Sequence, residues 1–188
     1  KYEEAIYFDS RCTPAYLKYA DIYKSANAGL AIEKLNQLKT LEPSNTAIDK
    51  KLAEIYYLKN DFSKAADAYS RFAMGPTANE EDLVKYAFAL FLNHDFAKSL
   101  EVANMGLKKN PRHAAFNRLA MYNNTDLKRF EEALKAADVF FNECDKADYS
   151  YLDYMYYGHL LEELKKYDEA VGQYENCLLY TSDAADEL

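Results

Sequence analysis

Tryptophan is absent from this 188-residue chain, and glycine (5), proline (4), cysteine (3) and histidine (3) are scarce. Each shortage removes a class of function. Five glycines form no run able to cradle a phosphate. Cys12, Cys144 and Cys177 stand far apart, without partners at metal-ligand spacing, so neither a disulfide framework nor a zinc site is expected. Cys12 and Cys144 read as small packing residues. His94, His113 and His159 are dispersed, and none lies beside a nucleophile-and-base arrangement. Lysine and arginine (23) are outnumbered by acids (31), giving a net charge of −8. Without a basic run, that balance argues against nucleic acid. No apolar stretch approaches the length of a membrane span. No catalytic constellation, cofactor or metal is expected.

What is present is a period. An aromatic followed three residues later by a small residue recurs at Tyr2/Ala5, Phe62/Ala65, Phe96/Ser99, Phe130/Ala133 and Tyr167/Ala170. The steps from 62 to 96 to 130 are 34 residues each, and Ala31 lies 34 before Ala65. A fixed period of this size means one supersecondary unit copied and stacked. Pro14, Pro43, Pro76 and Pro111 fall between the periodic segments, where they punctuate repeats. Each unit reads as two antiparallel helices with apolar residues at spacings of three and four. In 79–111, Leu83, Tyr86, Ala87 and Leu90 mark one stripe; Phe96, Ser99, Leu100, Ala103 and Leu107 mark the next. Eleven helices are predicted: 2–12, 14–25, 28–41, 46–58, 61–73, 80–92, 95–109, 112–124, 129–142, 149–164 and 167–180. The turn in 14–43 reads one residue shorter than the others, and that in 113–142 one residue longer.

The pattern resembles the tetratricopeptide repeat (TPR). Tyr154, Tyr157-Gly158, Leu161, Ala170 and Tyr174 carry the resemblance best. Ala20, Ala53, Ala87, Ala120 and Gly158 take its small positions, where helix A approaches helix B. No proline stands near Asp145, where the pattern wants one. The resemblance implies an all-α, right-handed superhelical solenoid. It divides into a partial repeat (1–13, helix B only), five repeats (14–176) and a tail (177–188). It also implies a protein-interaction scaffold with a concave groove lined by helix A. By register the groove candidates are Leu17, Asp21 and Lys24; Lys50, Glu54 and Tyr57; Val84, Phe88, Phe91 and Leu92; Asn117, Met121 and Asn124; and Met155, His159 and Glu162. Its middle is apolar and aromatic, its ends charged, which suits an extended or helical peptide. Phe88, Phe91 and Leu92 read equally as packing against a neighbouring repeat. The family's carboxylate clamp is missing: Leu17, Asp21, Glu81 and Lys85 stand at its places.

The expected partner is a protein or peptide, with self-association at exposed repeat ends as a hazard. A structural arm, or an accessory domain of a larger enzyme, is the alternative. Glu131-Glu132 and Glu162-Glu163 read as solvated helix faces. The sequon Asn123-Asn124-Thr125 is treated as chance. The chain begins inside a repeat and reads as cut at its N-terminus, so its compartment, cytoplasmic or periplasmic, is not legible. Residues from Cys177 to Glu187 resemble a translated sequencing adapter on a truncated bacterial metagenomic gene. Setting its three acids aside leaves a net charge of −5.

Overall fold

The structure is a computed structural model that describes residues 1–75, 77–144, 147 and 149–186, with side chains as far as residue 179. The breaks expected at Pro76 and near Asp145 lie outside the described residues. Among the described residues there are eleven α-helices and no strand. They are α1 (Tyr2–Phe8), α2 (Thr13–Ala26), α3 (Ala28–Leu41), α4 (Thr46–Leu58), α5 (Phe62–Ala73), α6 (Glu80–Leu92), α7 (Phe96–Lys109), α8 (Ala114–Asp126), α9 (Phe130–Asn142), α10 (Tyr151–Glu163) and α11 (Tyr167–Asp186). Two compact units emerge, Lys1–Asn93 and His94–Leu188.

Local chemistry sets most helix starts. The Asn27 side chain accepts from the Leu30 N–H at 3.1 Å, and Asp61 and Asp95 accept from Lys64 and Lys98. Asn79 and Asp82 form a capping box, as do Ser150 and Asp153. These bonds satisfy donors that a helix N-terminus leaves open. α1 ends at Phe8 rather than at 12, because Asp9 is extended and its carboxylate turns back to the Arg11 N–H at 2.9 Å. α8 begins and ends two residues later than predicted. α11 continues to Asp186, past 180, since neither proline nor glycine interrupts Leu178 to Ala185.

In the first unit α2 packs on α3, α4 on α5, and α6 on α5. Tyr19, Leu35, Leu38, Ile48, Ala53 and Tyr69 form its interior. In the second unit α7 and α9 both pack on α8, and α10 packs on α11. Its interior holds Phe116, Leu119, Phe140, Leu160 and Leu161. Ala53, Ala87 and Gly158 are buried, as their small size demands. A Cβ on Gly158 would lie 2.6 Å from the Tyr174 ring. Gly158→Leu is expected to cost about 1–3 kcal/mol by overpacking this crossing. Urea denaturation checks it, and a change under about 0.5 kcal/mol would mean that the ring simply swings aside. Cys12 and Cys144 are half-buried and lie outside the helices.

Candidate functional site

Four turns fix the register of the helix A faces. Asn60, His94, Lys128 and Lys165 have φ of 57°, 60°, 58° and 60°. Each stands two residues before the aromatic that opens the next helix. The left-handed residue lets the following N–H reach back to close the helix. Asp61 donates to the Tyr56 carbonyl at 2.9 Å, Arg129 to Asn124 at 2.7 Å, and Lys166 to Leu161 at 2.8 Å. Counted back from these turns, Glu54, Phe88, Tyr122 and His159 are equivalent. So are Tyr57, Phe91, Thr125 and Glu162, and likewise Lys50, Val84, Arg118 and Met155.

The fourth-repeat candidates Asn117, Met121 and Asn124 are therefore one residue out of step. The turn before Phe130 is not longer than its equivalents. Ala120 was read as the small crossing residue, but Met121 takes that place and is fully buried. Asn117 and Asn124 are buried as well, on a different face of α8. Tyr122 and Thr125, which hold the groove register instead, are buried too.

In the first unit an open cleft of about 540 Å³ gathers much of the remaining candidate set. Lys24, Glu54, Tyr57 and Phe88 line it, together with Lys51, Leu58, Tyr69 and Lys85. Lys51 bridges Asp21 at 2.7 Å and Glu54 at 3.1 Å, and Lys85 pairs with Glu81 at 2.6 Å. Burial, then the nearby Glu54 carboxylate, push the Tyr69 hydroxyl well above its ordinary range, so it stays a neutral donor. Burial alone raises Tyr57. Lys50, expected in the groove, does not line the cleft. Its ammonium reaches buried Asp82 at 2.7 Å and lies over the Phe72 ring, so the neighbouring Lys51 serves the cleft. Val84, Phe91 and Leu92 are half-buried and do not line the cleft. Lys51 was missed although it stands three residues before Glu54 on one helix face, a readable signal. Tyr69 was missed because it comes from a helix B.

In the second unit Asp126, Met155, Tyr156 and His159 line a smaller cleft of about 250 Å³. The Tyr156 hydroxyl donates to Asp126 at 3.0 Å, and its ring stacks on Tyr122 with centroids 4.0 Å apart. Burial raises the Asp126 carboxyl above the ordinary range. Glu162 accepts from the Tyr174 hydroxyl at 3.0 Å. Arg118, equivalent to Lys50, clasps fully buried Asp153 through Nε at 2.7 Å and an Nη at 2.8 Å. So the groove position of these two repeats is spent on tying one helix A to the next. Asn123 is fully buried and donates to the Ser99 hydroxyl at 2.8 Å, which removes the sequon from the surface. Among the described residues no cluster of His, Cys, Asp or Glu could hold a metal, and no helix is long and apolar enough to cross a membrane.

No family model matches the sequence, and no curated protein does. Solved structures do match. YrrB, "a TPR protein with an unusual peptide-binding site", shares 14% identity over 100% of this chain and 98% of its own, with a TM-score of 0.77. MamA shares 16% identity over 94% and 96%, with a TM-score of 0.74. Pseudomonas aeruginosa pilF shares 13% over 98% and 86%, with a TM-score of 0.68. At these identities the likeness speaks for architecture alone, and with the helix order and the 34-residue step it establishes that the chain has the tetratricopeptide-repeat fold.

Proposed function

We propose that this chain is a protein-interaction scaffold whose first-unit cleft takes a peptide segment. The observation that carries it is two half-buried aromatic rings, Tyr57 and Phe88, over the buried ring of Tyr69, in one open cleft rimmed by Lys24, Lys51 and Lys85. Aromatic walls supply anchors at low entropic cost, and fixed charges set register. Asp21, Glu54 and Glu81 hold the lysines before a ligand arrives, which lowers the ordering cost on binding. The similarity to YrrB, a TPR protein with an unusual peptide-binding site, supports the same reading. Under this proposal a lone helix B is followed by five repeats. Residues 177–188 lie outside the functional surface, and copies of the chain would associate through repeat ends.

The test is a peptide selected from a random display library against the full chain. Phe88→Ala is expected to weaken that peptide by more than about 1 kcal/mol, roughly fivefold, the range of an interface anchor. The melting temperature should hardly move. Unchanged affinity with a sharply lower melting temperature would make Phe88 a packing residue, and would turn the reading toward a structural arm.

A further inference from the structure

The fourth repeat carries a feature the others lack, on the helix B side of α8. The positions that hold Asp49, Leu52 and Tyr56 in one repeat, Leu83, Tyr86 and Leu90 in the next, and Tyr154, Tyr157 and Leu161 in the last hold Asn117, Ala120 and Asn124 here. Elsewhere two or three large side chains occupy this face. Here two short amides and a methyl group leave a valley of about 390 Å³ between α7 and α9, with these three residues in its lining. Leu100, Leu107, Ala136 and Val139 supply apolar walls.

Asn124 is only 6% exposed, lines this valley, and its side-chain amide makes no hydrogen bond among the described residues. Asn117 is 4% exposed and spends its N–H donors on the Pro111 and His113 carbonyls, at 2.9 and 3.1 Å. The Asn124 amide is open to the valley and not sealed in the core, where the buried side-chain atoms without a partner among the described residues are His113 Nδ1 and Asn123 Oδ1; two other repeats hold leucine at its position. The amide is therefore available to a group that enters the valley. An amide that both donates and accepts matches the main chain of an extended segment. The rim adds a charge preference. Arg129 and Lys135 stand at the valley, and Lys108 at the adjoining cleft that shares Leu100, Asn104 and Leu107 with it. None of these three cations is in an ion pair among the described residues, and two acids, Glu101 and Glu132, face them. In a chain of net −8 this is a locally basic rim.

We propose that this valley is a second docking site, which takes an extended segment of another protein with an apolar side chain between acidic ones. The apolar side chain enters between α7 and α9, the main chain bonds to Asn124, and the acids meet Arg129 and Lys135. This site is independent of the first-unit cleft and stands or falls without it.

The experiment titrates the ¹⁵N-labelled full chain with an acetylated, amidated Glu-Leu-Glu-Leu-Glu peptide and with its Lys-Leu-Lys-Leu-Lys counterpart. The side-chain NH₂ signals of Asn124 and Asn117 should shift saturably with the acidic peptide and not with the basic one. Arg129→Gln should weaken binding about two- to fivefold, as for an exposed rim charge. Asn124→Leu should abolish the saturable shift at Asn117 and Ala120 while the melting temperature stays at or above that of the parent chain. Ala120→Tyr, which restores the residue of two other repeats, should block the peptide as well. Static Asn124 signals at millimolar peptide would overturn the proposal, leaving ordered water as the partner of the amide. Equal response to both peptides, or unchanged binding in both valley-filling variants, would overturn it too. A lower melting temperature in Asn124→Leu would show that the fold itself requires the asparagine, and would have the same force.

Discussion

Arg118→Met should destabilise the chain by about 3 kcal/mol, near the lower end of what breaking a buried ion pair costs. Asp153 is fully buried and takes two guanidinium donors from Arg118. It also accepts from the Tyr122 hydroxyl at 2.6 Å and from the Ser150 N–H at 2.7 Å. Methionine preserves much of the arginine stem, including packing near the Phe140 ring, over which the guanidinium lies at 5.0 Å. What it removes is the charge that makes a buried carboxylate tolerable. The remaining donors keep the loss from reaching the upper end of the range. Arg118→Met/Asp153→Asn should recover more than half of the deficit. The neutral amide keeps capping contacts but has no charge to strand. Urea denaturation of the three variants checks this. A deficit under about 1 kcal/mol for Arg118→Met would mean that the pair is in effect solvated.

Gly106→Ala poses two opposed effects. In a helix interior, alanine is favoured over glycine by about 1 kcal/mol. Gly106 lies in the last turn of α7, but a Cβ there would stand only 2.1 Å from the ring of Phe116. Phe116 has no exposure and its ring lies 4.5 Å from that of His113, so it cannot swing into solvent. Overpacking of a filled core costs about 1–3 kcal/mol or more, and here it should win, for a net loss of about 1–2 kcal/mol. Gly172→Ala is the control. It too lies inside a helix, yet nothing stands within 4 Å of its Cβ position. It should gain about 0.5–1 kcal/mol. Thermal melts of the two variants should move in opposite directions. The same direction in both would show that propensity alone rules and that the α7–α8 contact yields.

Most of the helical scaffold was legible because its causes are local. The aromatic-plus-small step, the prolines between segments and the apolar residues at spacings of three and four act over a few residues. Such signals survive in any single sequence. α1 was overextended because Asp9 stops it through a side-chain turn that a periodic pattern does not reveal. The candidate site was legible in part. Lys24, Glu54, Tyr57 and Phe88 share the first-unit cleft, whereas Lys50 gave way to Lys51. These two residues are adjacent on one helix, so periodicity alone could not choose between them. Buried Asp82 chose, and it comes from the next repeat.

By itself, the sequence determined that this is a helical repeat of 34-residue step, poor in catalytic and metal-binding groupings, with small residues at helix crossings. Only the tertiary structure decided which face each residue of α8 presents. One residue of error in register turns a helical side chain by about 100°. Asn117 and Asn124 thus moved from an expected concave groove to a valley between α7 and α9. The left-handed turn at Lys128 set that register, and lysine gives no sign of such a turn, since glycine and asparagine are the residues that favour it. The backbone adopts it because the reversal between α8 and α9 requires it, a demand made by packing and not by the residue.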